Sequence, residues 1–198
     1  YAFVQDSFAL CREGLDRLKA VLDACEIVPE RILSLPDRGS QILSHAAGTV
    51  LALPVEPWAA DKQGLVVAYD IQDNEPDVMR SLYQKSEGQL LFSHATCWTD
   101  SFPYTADITT MLAQVQRAPW GEGMRMVDGE LETFEASDEP VEELAQQIVD
   151  AELDDDDLSD VDVVVRLAKA AGEFASFRRI AGPRERAWMG PVASNRFL

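Results

Sequence analysis

Residues 40–53 read SQILSHAAGTVLAL, and the fold turns on how they are taken. Read as strand, turn and strand, "QILS" and "TVLALPV" are aliphatic and β-branched sheet segments, with Gly48 compatible with a turn. Read whole, the same residues form a short buried helix. The following run GLVVAYDI, residues 64–71, is strand-like, and Pro54, Pro57 and Gly64 punctuate the region. These signals lead us to expect an α+β fold built on a mainly antiparallel sheet with packed helices. The α+β core is expected over residues 1–136. A helical hairpin and tail over 137–198 are expected to pack on it as one unit.

Working outward, DSFALCREGLDRLKAVLDACE (6–26) carries Phe8, Cys11, Leu15, Leu18, Leu22 and Cys25 at spacings of three and four, with Asp6 or Ser7 as cap. This seam predicts a helix packed on the sheet, with Cys11 and Cys25 as small core residues. NEPDVMRSLYQKSEG (74–88) predicts a helix with Pro76 in its first turn, ended by Gly88. QLLFSHATCW (89–98) predicts a strand, and a helix is expected from Thr105 or Asp107 through Arg117. In GMRMVDGELETF (123–134), Asp128-Gly129 is a favoured two-residue hairpin turn. That register sets Met126 against Leu131, Met124 against Thr133 and Arg125 against Glu132. SDEPVEELAQQIVDAEL (137–153) and SDVDVVVRLAKAAGEFASFRRIAG (159–182) complete the helices, the second opening on a capping-box pattern, Ser159-x-x-Asp162.

Charge is the most informative feature. The 198-residue chain carries a formal net charge of −18 and an apolar fraction of 46%. Residues 122–162 hold 17 acidic side chains and one base, Arg125, for a net of −16. Residues 1–121 net −7 and residues 163–198 net +5, so an acidic block is followed by a basic end. A field this concentrated repels itself unless something balances it. The basic end can fold back onto it or pair in trans within a homodimer, but it offsets only part of the charge. The expected partner is therefore a basic protein, steered to Glu130, Glu132, Glu135, Glu139, Glu142, Glu143 and Asp154, Asp155, Asp156 and Asp157. Trp188, in the aperiodic tail GPRERAWMGPVASNRFL (182–198), is of a type enriched at interface hot spots. Nucleic acid is disfavoured, because phosphates would meet like charge.

The aspartate run fails as a calcium loop. Starting at Asp154 places Ser159 where glycine is needed and Val165 where the bidentate glutamate belongs; starting at Asp155 places Asp160 and Arg166 there. A solvated loop between two helices accounts for those four residues by themselves.

Motifs for phosphate loops, dinucleotides, nucleophile elbows and zinc proteases are absent, so no cofactor or metal is expected. Two histidines and three scattered cysteines make no zinc spacing. In SHATCWTD (93–100), a strand would turn His94 and Cys97 to opposite faces, which disfavours a dyad and leaves a hydrogen-bonded His94 and a buried Cys97. His45 is expected in a turn. The odd cysteine count without C-x-x-C spacing points to free thiols and a reducing cytoplasm. No leader pattern opens the chain at Tyr1, and the longest weakly polar stretch, AAGTVLALPV, is about half the ~20 residues of a membrane span. The leading expectation is a cytoplasmic, non-catalytic module binding a basic protein, such as an inhibitor or immunity protein for a cationic toxin. A chaperone or adaptor carries the same signature. The competing expectation is an enzyme with a cleft near Asp70, His94 and Asp100.

Overall fold

The computed structural model describes residues 3–97, 104–127, 129–154, 158–171 and 181–184. Its centre is a five-stranded sheet of order β3-β2-β4-β6-β7, formed by Val55–Pro57, Ile32–Ser34, Gly64–Asp70, Gln89–Cys97 and Ile108–Ala113. All four strand pairings in it are parallel. The fold is therefore α/β, and the expected antiparallel sheet is corrected. β4 shows the reason: all seven of its residues are buried, without in-out alternation. An antiparallel sheet with one wet face alternates, whereas a parallel sheet covered on both faces reads as an unbroken apolar run.

The opening stretch is helix. α2 spans Arg38–Leu51, capped by Asp37, whose Oδ1 accepts from Ser40 N at 2.8 Å, and closed by Ala52 at φ 55°. Gly48 makes no turn. A Cβ there would lie 2.5 Å from Val55 Cγ2, so the missing side chain lets α2 press on β3. His45 is accordingly an exposed helical residue, not a turn residue. Because α2 carries the chain across the sheet, β2 and β3 run parallel, as crossover connections require.

Helices cover both faces. α1 (Phe8–Ala24), α2 and α4 (Val141–Val149) bury Leu15, Leu18, Leu43, Ala46, Leu144 and Ile148 against Leu65, Val67 and Phe92. α3 (Pro76–Tyr83) packs Leu82, Val78 and Met79 on the opposite face with Val66, Ala68, Leu91 and Tyr104. Each Leu, Ile, Val or Phe among them contributes roughly 1.5–3 kcal/mol when fully buried. Ser7 caps α1 through Leu10 N at 3.1 Å, as the seam implied.

The expected helix from Thr105 or Asp107 to Arg117 is replaced by β7 and by β8 (Val115–Arg117), which pairs in parallel with β1 (Phe3–Gln5). The apolar spacing of Ile108, Met111, Leu112 and Val115 fits a helix, but β6 supplies β7 with a partner and tertiary pairing overrides local period. The hairpin of β9 (Gly123–Val127) and β10 (Glu130–Phe134) has the expected register, Arg125 opposite Glu132, with Gly129 at φ +87°. Asp128 lies outside the described residues. α4 packs on α2 and α1, and α5 (Val161–Ala171) packs on α1. Beyond the described part of α5, Gly182–Pro183 form β11, antiparallel to β5 (Gln84–Lys85).

Candidate functional site

The direction of winding reverses between the carboxyl ends of β2 and β4, the place where an open α/β sheet would leave a crevice. The chain leaves β2 toward β3 on one side and leaves β4 toward β6 on the other. In doubly wound sheets ligands bind outside the strands' carboxyl ends at such a switch point. Here the first turn of α2 closes on the end of β4. Tyr69 N donates to Ser40 Oγ at 3.0 Å, and a Cβ on Gly39 would sit 3.3 Å from Tyr69 Cβ and 3.5 Å from Asp37 Oδ1. Asp70, 3% exposed, ends β4, accepting from Gln72 N at 3.0 Å and from Gln116 Nε2. Gln116 belongs to β8, so the β1–β8 ribbon reaches across this edge.

The loops leaving this edge hold buried polar atoms without hydrogen-bond partners: Asp37 Oδ2 after β2, Trp58 Nε1 after β3, and Gln72 Nε2 and Asn74 Oδ1 after β4. Asn74 is 5% exposed. Buried polar groups are satisfied in the great majority of cases, so several at one edge need a cause. The edge is also acidic. Asp37 occupies the start of α2 with its own carboxylate, where an anion would otherwise bind.

Next to the crevice, inside the core, lies a second polar group. Asp6, 3% exposed, accepts at Oδ2 from Tyr69 Oη at 2.8 Å and Cys11 Sγ at 3.4 Å, with His94 Nε2 at 3.1 Å, while Oδ1 accepts from Ser7 N at 2.7 Å. Burial raises the Asp6 pKa, but hydrogen bonding to His94, the histidine's charge, Tyr69 and Ser7 outweigh it, and the net shift is downward. Burial first, and then Asp6, push the Cys11 thiol and the Tyr69 phenol well up. Trp120 stacks edge-on to Tyr69 at 5.0 Å.

At the sheet's amino edge a third group ties down the start of the tail. Asp107 pairs with Lys85 at 3.3 Å and Arg184 at 2.6 Å, all at most 4% exposed, and its Oδ2 accepts from Leu91 N at 2.9 Å. Arg184 also donates to Leu82 O at 2.8 Å. One of the seven bases of the basic end is thus spent on the core and not on the acidic block.

The sequence-derived residues fall as follows. Glu130, Glu132, Glu135, Glu139, Glu142, Glu143 and Asp154 are all exposed. Asp155, Asp156, Asp157, Trp188 and Asp100 lie outside the described residues. His94 is fully buried on Asp6 and Asp70 bonds Gln116, while Cys97 Sγ donates to Gln114 O at 3.0 Å, so His94 and Cys97 serve separate contacts. Sequence reasoning took Asp6 only as a cap candidate and Cys11 as an apolar one, and it passed over Ser40, Tyr69 and Asn74. The signal for the crevice was PDRGS (36–40) between an apolar triplet and a helix, legible only once 40–53 is helix. Comparison with protein-family models, curated proteins and solved structures finds no match.

Proposed function

We propose that the protein binds a small, neutral, hydroxyl-rich molecule, such as a sugar or the ribose of a nucleoside, in the crevice between the carboxyl ends of β2 and β4. The observation that carries the reading is the switch point itself, with the first turn of α2 seated on β4 through Ser40 and Tyr69. The ligand class follows from the lining. Asp37, Asp70 and Asp73 make an anion unwelcome. The orphaned atoms mix acceptors (Asp37 Oδ2, Asn74 Oδ1) with donors (Gln72 Nε2, Trp58 Nε1), a mixture that hydroxyl groups match because each both donates and accepts. Calorimetry of the full chain with ribose, inositol and adenosine tests it. Saturable binding of one class, weakened about tenfold by Asn74→Ala through a lost hydrogen bond, is expected. Absence of saturable binding, or binding indifferent to both Asn74→Ala and Asp37→Ala, would sink the reading.

A second reading rests on a separate observation. Along the hairpin, α4 and the approach to α5, the carboxylates of Glu130, Glu135, Asp138, Glu139, Glu142, Glu143, Asp150, Glu152 and Asp162 face solvent. Such a surface supports long-range recruitment of a basic protein, with association that slows as salt screens it over ~8 Å at physiological ionic strength. Stopped-flow association with a cationic protein captured from the native cell, at two salt concentrations, tests this. A salt-independent on-rate would return the acids to solvent.

A further inference from the structure

The Asp6 cluster brings together three kinds of metal-ligating atom from distant parts of the chain. Asp6 comes from the end of β1, Cys11 from the first turns of α1 and His94 from β6; their oxygen, sulfur and nitrogen atoms all lie within 4.8 Å of one another. Hydrogen bonding accounts for the convergence incompletely. Oδ2 of Asp6 faces Tyr69 Oη, His94 Nε2 and Cys11 Sγ together, and one carboxylate oxygen offers two lone-pair directions for three donors. His94 Nδ1 meanwhile is buried without a partner. It lies 2.7 Å from where a Cβ on Gly14 would stand, and Thr110 Oγ1 lies 3.1 Å from the same point.

We propose that Asp6, Cys11 and His94 form a buried site for one zinc-like divalent ion, with the Tyr69 hydroxyl as fourth ligand or as the hydrogen-bond donor that holds Asp6. Zinc bonds thiolate at about 2.3 Å and imidazole or carboxylate at about 2.0–2.2 Å, which sets neighbouring ligand atoms roughly 3.3–3.6 Å apart around a tetrahedron. Oδ2 to Nε2 is 3.1 Å and Oδ2 to Sγ is 3.4 Å, close to those separations, and Nε2 and Sγ lie within 4.8 Å of each other, so side-chain adjustment around Asp6 admits the ion. Charge balances. A divalent cation, the Asp6 carboxylate and a Cys11 thiolate sum to zero, so the fully enclosed site carries no net charge. Binding releases the Cys11 proton to solvent. It also fixes the imidazole proton on Nδ1, the nitrogen left without a partner. The scattered spacing hid the site, because the ligands meet only in the folded sheet.

Because the site is enclosed, loading is tested by refolding the full chain with excess zinc or cobalt, desalting, and measuring metal by mass spectrometry. Wild type and the exposed-histidine control His45→Ala should each retain one ion per chain. Cys11→Ser and His94→Gln should lose it while keeping native far-UV circular dichroism. Wild type loaded with cobalt should show a thiolate-to-cobalt charge-transfer band that Cys11→Ser lacks, a readout a purely structural cysteine would not give. Wild type without bound ion, metal retained by Cys11→Ser, or loss in His45→Ala overturns the proposal. Should Cys11→Ser fail to fold, the wild-type band decides by itself, and its absence is equally fatal.

Discussion

The Asp6 and Asp107 side chains flank the strands and are at most 3% exposed, whereas those of Glu130, Glu135, Glu142, Glu143, Asp150, Glu152 and Asp162 stand in water. The same chemical group does opposite work in the two places. A buried carboxylate needs partners in place of water, and both have them: Asp107 has Lys85, Arg184 and Leu91 N, and Asp6 has Ser7 N with Tyr69, Cys11 and His94 crowded on one oxygen. A surface carboxylate keeps its hydration and acts through the field it adds. Burial, and not sequence density, decides which aspartates hold the fold together.

The contrast is broken most directly at the amino edge. Asp107→Ala removes one carboxylate from two buried cations and the acceptor of Leu91 N, and should cost about 3–5 kcal/mol of stability in urea denaturation. A loss under about 1 kcal/mol would mean that water reaches this triad and that burial is not what separates the two groups.

At the carboxyl edge, Asp6→Asn removes a charged acceptor from three side chains and should cost about 2–3 kcal/mol at neutral pH. The wild-type protein should show the linked pH dependence. Because the folded pKa of Asp6 is depressed, its contribution is present above the unfolded value near pH 4 and is lost as pH falls through the lower folded value. Denaturation midpoints measured from pH 6 down to pH 3 should fall more steeply for wild type than for Asp6→Asn. Parallel curves would assign the acid sensitivity elsewhere.

A smaller effect is expected at Gly14. Alanine is the better helix former, yet its Cβ would meet His94 Nδ1 at 2.7 Å and Cε1 at 2.9 Å. His94 is held by Asp6 and cannot simply swing away, so Gly14→Ala should destabilise by about 1–3 kcal/mol. A gain in melting temperature would show the junction to be loosely packed.

The smallest effect belongs to the surface. Replacing Glu130, Glu135 and Glu152 together with Gln should change stability by no more than about 0.5 kcal/mol, with a rise as self-repulsion falls. The same variant should slow association with a cationic protein and flatten its salt dependence. A stability loss comparable to that of Asp6→Asn would erase the distinction between the two sets of acids.

Several elements were legible before folding. The α1 seam, the start of α3 at Pro76, β6 and the β9–β10 register all follow from spacing within a few residues, although α3 ends at Tyr83 and not at Gly88, and Ser7 was one of two caps the sequence offered. The misread segments share a physical origin. In 40–53 the small residues Ala46, Ala47 and Gly48 pack α2 against the sheet, and the same aliphatic run suits a strand equally well. In 108–117 a helical spacing was present, but β6 offered a pairing partner that no local pattern reveals. The candidate crevice stayed hidden with the first error, because without α2 as a crossover there is no switch point.

By itself the sequence determined where charge and apolar surface accumulate, and so that the carboxylates from Glu130 to Asp154 face water. A run of carboxylates cannot be desolvated without partners, and Arg125 is the one base within residues 122–162. Only the tertiary structure decided that the sheet is parallel and that residues 6, 11, 69 and 94 meet. Strand direction depends on whether the connecting segment crosses the sheet, and contacts between residues 63 and 88 positions apart exist only once it has.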